Sequence, residues 1–128
     1  MGTRRLLADA GAVMPAKSPE DIHALLAAAV NAGDVDAFAE LHEPDATVIV
    51  PPDGRRVSGR DAIRAAVRPV LALGPTAEIE LVDKLQSGDL ALTFARVEVF
   101  GSVSRGTVVS RRQADVTWRI VLDHPMSP

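Results

Sequence analysis

Cysteine and tyrosine are absent from this 128-residue chain, and aromatic residues make up 3% of it. Without cysteine the chain can form no disulfide bond, so a reducing, cytoplasmic location is expected. The longest unbroken apolar run, Ala24 to Val30, has seven residues, whereas a membrane-spanning helix needs about 20. The sequence therefore predicts a protein that does not cross a membrane.

Positively charged residues are too few to form a surface for nucleic acid. Fourteen basic residues stand against 17 acidic ones, which gives a formal net charge of -3 at pH 7. Binding to DNA or RNA depends on lysine and arginine that neutralise phosphates, and on aromatic rings where bases must be stacked. We therefore expect no nucleic acid partner.

Motifs for metals, phosphates and nucleophilic catalysis are missing as well. The chain has no His-Glu-x-x-His sequence, no glycine-rich phosphate loop and no Gly-x-Ser-x-Gly turn. Its three histidines are scattered, which does not suggest a transition-metal site. We expect no metal and no cofactor.

The length and the apolar content fit one folded domain. A chain of 128 residues, 47% of them apolar, can bury about two-thirds of its unfolded surface and so form an ordinary core. We interpret residues 1–17 as an N-terminal tail and residues 18–128 as the domain. Arginine outnumbers lysine, a bias that is common in GC-rich bacterial genomes.

Three helices are predicted in the first half of the chain. The first follows Ser18 and ends at Gly33, and the second begins at Asp34 and ends near His42. Serine and aspartate favour helix N-termini, and glycine favours helix ends. By the same reasoning Ser58 caps a third helix.

Strand patterns dominate the second half. A β-branched run over residues 46–50 precedes the third helix, and further strands are predicted over residues 77–85, 90–100, 107–112 and 117–122. Helices at the front and strands at the back indicate an α+β fold with an antiparallel sheet.

The strand that begins at Leu90 lacks a purely polar face. Successive side chains of a strand point to opposite faces. One face therefore holds Ala91, Thr93, Ala95, Val97 and Val99, and the other holds Leu92, Phe94, Arg96, Glu98 and Phe100. Helices would cover one face, and a second copy of the chain is the simplest cover for the other. We therefore expect a homodimer.

The last strand is interpreted by the same alternation. Trp118, Ile120 and Leu122 share one side, and Arg119, Val121 and Asp123 share the other. The side with the large apolar groups is expected on the outside. The expected contacts with the partner are then Phe94, Phe100, Trp118 and Ile120.

Four sequence blocks resemble the SnoaL-like, ketosteroid-isomerase-like superfamily: Asn31–Ala37, Asp45–Val48, Ser58–Arg64 and Trp118–Val121. The resemblance implies the nuclear-transport-factor-two-like fold. This is a cone-shaped α+β barrel in which three N-terminal helices pack in a strongly bent antiparallel sheet. It also implies a deep apolar pocket inside the cone and a dimer formed by the outer face of the sheet.

The catalytic groups of ketosteroid isomerase are missing at the matching positions. That enzyme uses an aspartate base together with a tyrosine and a protonated aspartate. The resemblance places Val50, Leu26 and Val108 at those positions, and all three are aliphatic. Steroid isomerisation by that mechanism is therefore not expected.

Two ionisable residues are expected on the pocket side of the same register. His42 replaces an aromatic residue at the end of the second helix, and Asp123 ends the last strand. Both residue types can exchange a proton near neutral pH when they are buried. If they lie within hydrogen-bonding reach, they form a proton-transfer pair. The alternatives are a histidine at a helix end and an aspartate that fixes a strand end.

The segment Arg96-Val97-Glu98 resembles the arginine and acidic residue of limonene-type epoxide hydrolases. In those enzymes carboxylates activate a water molecule while an acid protonates the epoxide oxygen. The register assigns both side chains to the outer face, where a surface ion pair is the simpler interpretation. Epoxide hydrolysis requires both side chains inside the pocket.

Two main hypotheses of function follow. The first is an enzyme that isomerises, cyclises or hydrates a small apolar molecule, such as a polyketide, terpenoid or steroid-like compound, with Asp123 as base and His42 as proton donor or orienting partner. The second is a non-catalytic ligand-binding or dimeric scaffold module. The residues expected to bind the ligand are Leu26, Val50, Val67, Ala91, Thr93, Ala95, Val97, Val108, Ser110, Arg112 and Val121.

Overall fold

The computed structural model describes residues 15–51 and 53–127. Most of the predicted tail lies outside these residues. Its final part includes Ala16, which is buried and whose carbonyl oxygen accepts a hydrogen bond from the backbone N–H of Trp118 at 2.8 Å. Within the described residues, no helix is both long and apolar enough to span a membrane.

Three helices form where the sequence predicts them: α1 covers Asp21–Ala32, α2 covers Val35–Glu40 and α3 covers Arg60–Ala72. Gly33 ends α1 in the left-handed conformation, with φ at 65°, which glycine adopts without strain. The Asp34 carboxylate then accepts a hydrogen bond from the backbone N–H of Ala37 at 3.0 Å and caps α2. Ser58 does not cap α3, because Gly59 occupies that position.

Six strands form one curved, open sheet: β1 (His42–Val50), β2 (Arg55–Ser58), β3 (Ala77–Ser87), β4 (Leu90–Val99), β5 (Ser102–Arg112) and β6 (Trp118–Ser127). Their order across the sheet is β2-β1-β6-β5-β4-β3. All neighbouring strands are antiparallel except β1 and β6, which run parallel. The α+β fold is confirmed, with one parallel pair that the sequence pattern did not indicate.

The alternation predicted for β4 is confirmed. Ala91, Thr93, Ala95, Val97 and Val99 are all buried, and the residues between them are exposed or half-buried. The concave side of the sheet, which packs against the helices, is therefore lined by small and β-branched side chains. This arrangement leaves space between the sheet and the helices.

A β-bulge makes the alternation predicted for β6 wrong over half of its length. Val109 pairs with Leu122 but the next residue of β5, Ser110, pairs with Ile120, so Val121 is an extra residue in β6. A bulge of this kind reverses which side chains face inwards. Trp118 and Ile120 are consequently 5% and 0% exposed and belong to the core. The sequence analysis expected both side chains to face a partner, and this expectation is wrong.

Candidate active site in the central cavity

An apolar cavity lies between the helices and the concave face of the sheet. Its volume is about 100 Å³. Five of the residues expected to bind a ligand contribute to its wall: Leu26, Val50, Val67, Val97 and Val108. Asp123 also lies in the wall, because the bulge restores its side chain to the concave face.

His42 lies against Asp123 and does not itself line the cavity. The Nε2 atom of His42 lies 3.5 Å from Oδ2 of Asp123, and both side chains are completely buried. His42 is the first residue of β1, not the last residue of a helix as expected. Its side chain still meets Asp123, because β1 and β6 are neighbours and His42 pairs with Ile120, three residues before Asp123.

The second ring nitrogen of His42 determines where the proton of the imidazole lies. Nδ1 is 2.9 Å from the carbonyl oxygen of Phe38, which can only accept, so Nδ1 carries the hydrogen. Nε2 therefore directs either a lone pair or a second N–H at the carboxyl group. At 3.5 Å from Oδ2 of Asp123, Nε2 is farther away than a hydrogen bond spans, and it has no hydrogen-bond partner among the described residues.

Neither carboxyl oxygen of Asp123 makes a hydrogen bond to a described residue. Buried polar groups are nearly always hydrogen-bonded in folded proteins, and an unsatisfied one destabilises the fold by about 1 to 3 kcal/mol. A buried acid in a cavity wall is therefore a candidate functional group. Its burial, its missing hydrogen bonds and its place in the cavity wall indicate a functional role for Asp123 more strongly than the sequence does.

His23 belongs to the cavity as well, although its polar neighbours in the sequence are typical of an exposed position. It is 3% exposed, lines the cavity and has its Nε2 atom 2.8 Å from Oγ1 of Thr93. Burial lowers the pKa of the His23 imidazole below its ordinary 6.5, although the charge of Asp123 and the hydrogen bond with Thr93 act in the opposite direction. His23 is therefore a neutral imidazole at neutral pH.

A pattern in α1 could have identified His23. His23, Leu26 and Val30 are spaced at i, i+3 and i+7, which places them on one face of a helix, and all three line the cavity. The polar residues just before His23 suggested a solvent-exposed helix start. Ile22 belongs to the row of α1 residues that packs in the core. His23, one residue later, begins a second row that faces the cavity.

The other residues expected to bind a ligand are not part of the cavity wall: Ala91, Thr93, Ala95, Ser110, Arg112 and Val121. Ala91, Thr93, Ala95 and Ser110 are buried on the concave face. Arg112 instead makes a surface ion pair with Asp89 at 2.8 Å, and Val121 is the half-buried extra residue of the bulge. Their expected contact with a ligand is therefore not supported by the geometry.

Arg96 and Glu98 lie on the outer face of the sheet. Nη2 of Arg96 is 3.4 Å from Oε1 of Glu98, and the two side chains are 49% and 43% exposed. Epoxide hydrolysis through this pair requires both groups inside the cavity. The hypothesis of a limonene-type epoxide hydrolase that uses these residues is therefore wrong.

Phe94 and Phe100, both expected at a dimer interface, lie in different places. Phe94 is half-buried in a groove on the outer face. Phe100 follows the end of β4, is 54% exposed and contributes to the wall of the cavity. Its φ of 54° is a left-handed conformation that residues other than glycine adopt only with strain.

No group of three or more histidine, aspartate or glutamate side chains within residues 15–51 and 53–127 has a metal-binding arrangement. Among the described residues, the polar side chains of the cavity wall are His23 and Asp123, and His42 lies next to Asp123. Their arrangement is suited to moving a proton.

Comparison with known structures places this fold among proteins of diverse or unknown role. A domain of unknown function with a cystatin-like fold from Nostoc punctiforme has a TM-score of 0.73 and 21% identity, over 84% of this chain and 73% of that one. A nuclear transport factor 2-like protein of unknown function from Pseudomonas putida has a TM-score of 0.69 and 19% identity, over 85% and 83%.

A ketosteroid isomerase-like protein from Erwinia carotovora atroseptica has a TM-score of 0.67 and 20% identity, over 85% of this chain and 94% of that one. At these identities the likeness shows the fold alone. No protein with curated annotation matches the chain significantly. The SnoaL-like domain model matches residues 22–122, most of the chain, and the chain therefore belongs to the SnoaL-like domain family.

Proposed function

We propose that this chain is an enzyme that moves a proton on a small, largely apolar molecule without a cofactor. The reaction class is isomerisation, cyclisation or hydration, and the substrate class is polyketide-, terpenoid- or steroid-like. One observation carries the proposal: the buried carboxyl group of Asp123 lies in the wall of an apolar cavity, 3.5 Å from the imidazole of His42. The bacterial origin and the cytoplasmic location remain predictions.

Asp123 is the base in this proposal, and His42 is its positioning partner. His42 does not line the cavity, and its Nδ1 atom is tied to the carbonyl oxygen of Phe38. Its Nε2 atom is therefore fixed against the carboxyl group. In this role His42 holds the carboxyl group in one orientation, and Asp123 alone takes the proton from the substrate and returns it.

The apolar wall supports the choice of substrate class. Beyond His23 and Asp123, every described residue that lines the cavity has an apolar side chain or is glycine. Such a surface binds hydrocarbon by the hydrophobic effect and offers few partners to a polar molecule. A base in an apolar cavity is also poorly solvated, which increases its strength towards a carbon acid.

A non-catalytic ligand-binding module is the alternative. It is favoured by the aliphatic side chains of Leu26, Val50 and Val108, which occupy the positions of the ketosteroid isomerase groups and line the cavity. A ligand carrier needs the same apolar cavity but no base. The two functions differ in what happens to a bound ligand.

Deuterium uptake at C1 of 2-tetralone, an apolar bicyclic ketone, tests the proposal by NMR in D2O. The wild-type chain should accelerate the uptake. Asp123→Asn should lower the enzymatic rate about a hundredfold or more, the usual effect of a general base. Asp45→Asn, which changes an exposed carboxylate, should leave the rate unchanged.

Two results would contradict the proposal. If the wild-type chain binds 2-tetralone and does not accelerate the exchange, the ligand-binding alternative is favoured. If Asp123→Asn exchanges deuterium as fast as the wild-type chain, Asp123 is not the base.

A homodimer formed through the outer face is also proposed. Val82, Val103 and Leu122 are 66%, 56% and 50% exposed on this face, and the groove that contains Phe94 is flanked by Asp83, Arg96 and Arg105. A second copy would cover the apolar groups and pair opposite charges. Trp118 and Ile120 take no part in this surface.

A further inference from the structure

His23 and Asp123 are the two residues with polar side chains among the described residues that line the cavity. The proposed function uses Asp123 and leaves His23 without a role. What the His23 ring offers to a ligand depends on which of its nitrogens carries the proton. The hydrogen bonds around the ring determine that position.

The hydrogen bonds of Thr93 place the proton of the His23 imidazole on Nε2. The hydroxyl group of Thr93 donates to the carbonyl oxygen of Val108 at 3.5 Å, and its oxygen lies 2.8 Å from Nε2 of His23. Because a hydroxyl group has one hydrogen, Thr93 can only accept from His23. Nε2 therefore carries the N–H and donates it to Thr93.

The other ring nitrogen, Nδ1, then carries a lone pair. Burial lowers the pKa of the His23 imidazole, so at neutral pH the ring is uncharged and has one N–H. Thr93, which holds the Nε2 edge of the ring, is not part of the cavity wall. The cavity is therefore lined by the rest of the ring, which includes Nδ1.

We infer that His23 selects a ligand with a hydroxyl group on a hydrocarbon skeleton, and that this O–H donates a hydrogen bond to Nδ1. With Asp123 ionised, both polar side chains of the described wall are hydrogen-bond acceptors. A ligand that matches them must supply the hydrogen itself. The inference rests on the proposed function for the ionised state of Asp123 and for the cavity as the ligand site.

A ketone with the same skeleton should bind more weakly than the alcohol. Its carbonyl oxygen is itself an acceptor, so Nδ1 offers it no hydrogen, and burial of a polar group without a partner is unfavourable. The skeleton still contacts the apolar wall, so ketones such as 2-tetralone remain ligands for the exchange test. His23 therefore determines specificity for the polar group of the ligand, in an enzyme and in a ligand carrier alike.

Three ligands with one ring skeleton test the inference: 2-indanol, 2-indanone and indane. NMR titration of the wild-type chain should give 2-indanol an affinity about tenfold higher than that of indane, the effect of one hydrogen bond. The ketone 2-indanone should show no such gain. His23→Leu should remove the preference for the alcohol and leave the affinity for indane unchanged.

Thr93→Val tests the position of the proton at nearly constant side-chain shape. Without the hydroxyl oxygen, the N–H at Nε2 loses its acceptor, and the proton can move to Nδ1. The preference for the alcohol over the ketone should then fall. Nitrogen NMR of the His23 ring, which distinguishes a protonated nitrogen from a bare one, should place the hydrogen on Nε2 in the wild-type chain and report its shift in the variant.

His124→Leu is the matched control, because His124 lies in a groove on the outer face. It should leave all three affinities unchanged. The fluorescence of the buried Trp118 would report whether each variant folds. If His23→Leu does not fold, Thr93→Val and the nitrogen spectrum of the wild-type chain decide the outcome.

The inference is overturned if the wild-type chain binds 2-indanone as tightly as 2-indanol, if it binds neither, if His23→Leu keeps the preference for the alcohol, or if the wild-type ring carries its hydrogen on Nδ1. These results are separable from the test of Asp123. Loss of deuterium exchange in Asp123→Asn without a preference for the alcohol would support the proposed function and reject the role of His23. A preference that His23→Leu removes, with unchanged exchange in Asp123→Asn, would support His23 as a binding residue and reject Asp123 as the base.

Discussion

At the scale of single residues, Asp123 combines burial with a lack of hydrogen-bond partners, which destabilises a folded chain. Its oxygens have no such partner among the described residues, and Nε2 of His42 lies 3.5 Å from one of them. A carboxyl group whose hydrogen bonds are unmade is free to bind a ligand. The same feature that weakens the fold therefore makes Asp123 available for chemistry.

His23 gives the stability of the chain a dependence on pH. The pKa of His23 is lowered by burial below its ordinary 6.5, so as pH falls below about 6.5 the unfolded chain binds the proton more readily than the folded chain. Stability should therefore decrease from pH 7 to pH 5. Urea unfolding should show that His23→Gln reduces this decrease and that His124→Gln does not.

A contrary result would be equally informative. If His23→Gln loses as much stability between pH 7 and pH 5 as the wild-type chain, then the buried imidazole is not the cause of the pH dependence. Groups elsewhere in the chain would then account for it.

The residues of the site could be predicted to different degrees. Asp123 was predicted correctly on the concave face, although the alternation used for it neglected the bulge at Val121. His42 was predicted on the pocket side, with its contact to Asp123 left as a condition. It was assigned to the wrong element, because Phe38 and Leu41 continue a helical spacing up to the strand. His23 was missed, since polar neighbours mark a helix start and the cavity stripe is visible only once the helix is packed.

At the scale of elements, β4 was predictable and β6 was not. Along β4 every second side chain is small or β-branched and every one of these is buried, so simple alternation is sufficient. In β6 the extra residue Val121 shifts the register against β5, and no local sequence pattern indicates this bulge. A tertiary constraint decides this: the first half of β6 packs Trp118 and Ile120 into the core, and the second half presents Asp123 to the cavity.

The turn between β4 and β5 has a feature that links backbone strain to the cavity. Phe100 and Gly101 both have positive φ values, 54° and 74°, as in a two-residue turn that favours Asn-Gly. Phenylalanine in this position is strained by about 1 kcal/mol. Its ring nevertheless lines the cavity, so we expect it to contribute to ligand binding.

Phe100→Asn should separate these two effects. The variant should be as stable as the wild-type chain or more stable, by up to about 1 kcal/mol, and should bind 2-tetralone more weakly because one wall of the cavity is lost. Thermal unfolding and NMR titration measure the two quantities. Lower stability together with unchanged binding would show that the ring serves the fold alone.

At the scale of the whole molecule, the sheet has one face committed to the core and one that exposes apolar side chains. Exposed apolar groups that lie close together mark interaction surfaces. The dimer proposed through this face should have a mass of about 27 kDa, twice the 13.5 kDa of one chain. The fold class followed from the order of helices and strands, whereas the dimer surface had to be revised because two of its four expected residues are buried.

Light scattering after size exclusion would test the dimer. Val103→Arg introduces a charge beside the outer groove and should yield monomers. Val116→Arg, at an exposed position in the turn between β5 and β6, is the matched control and should remain a dimer. A monomeric wild-type chain, or a dimer that tolerates Val103→Arg, would contradict this interface.

A crystal structure of the wild-type chain with 2-tetralone bound tests the account most directly, because it locates the ligand relative to both polar groups of the cavity. We predict that the ligand lies in the cavity with its C1 carbon next to the Asp123 carboxyl group. A ligand that lies in the cavity with C1 directed away from Asp123, or that occupies the outer groove instead, would contradict the account.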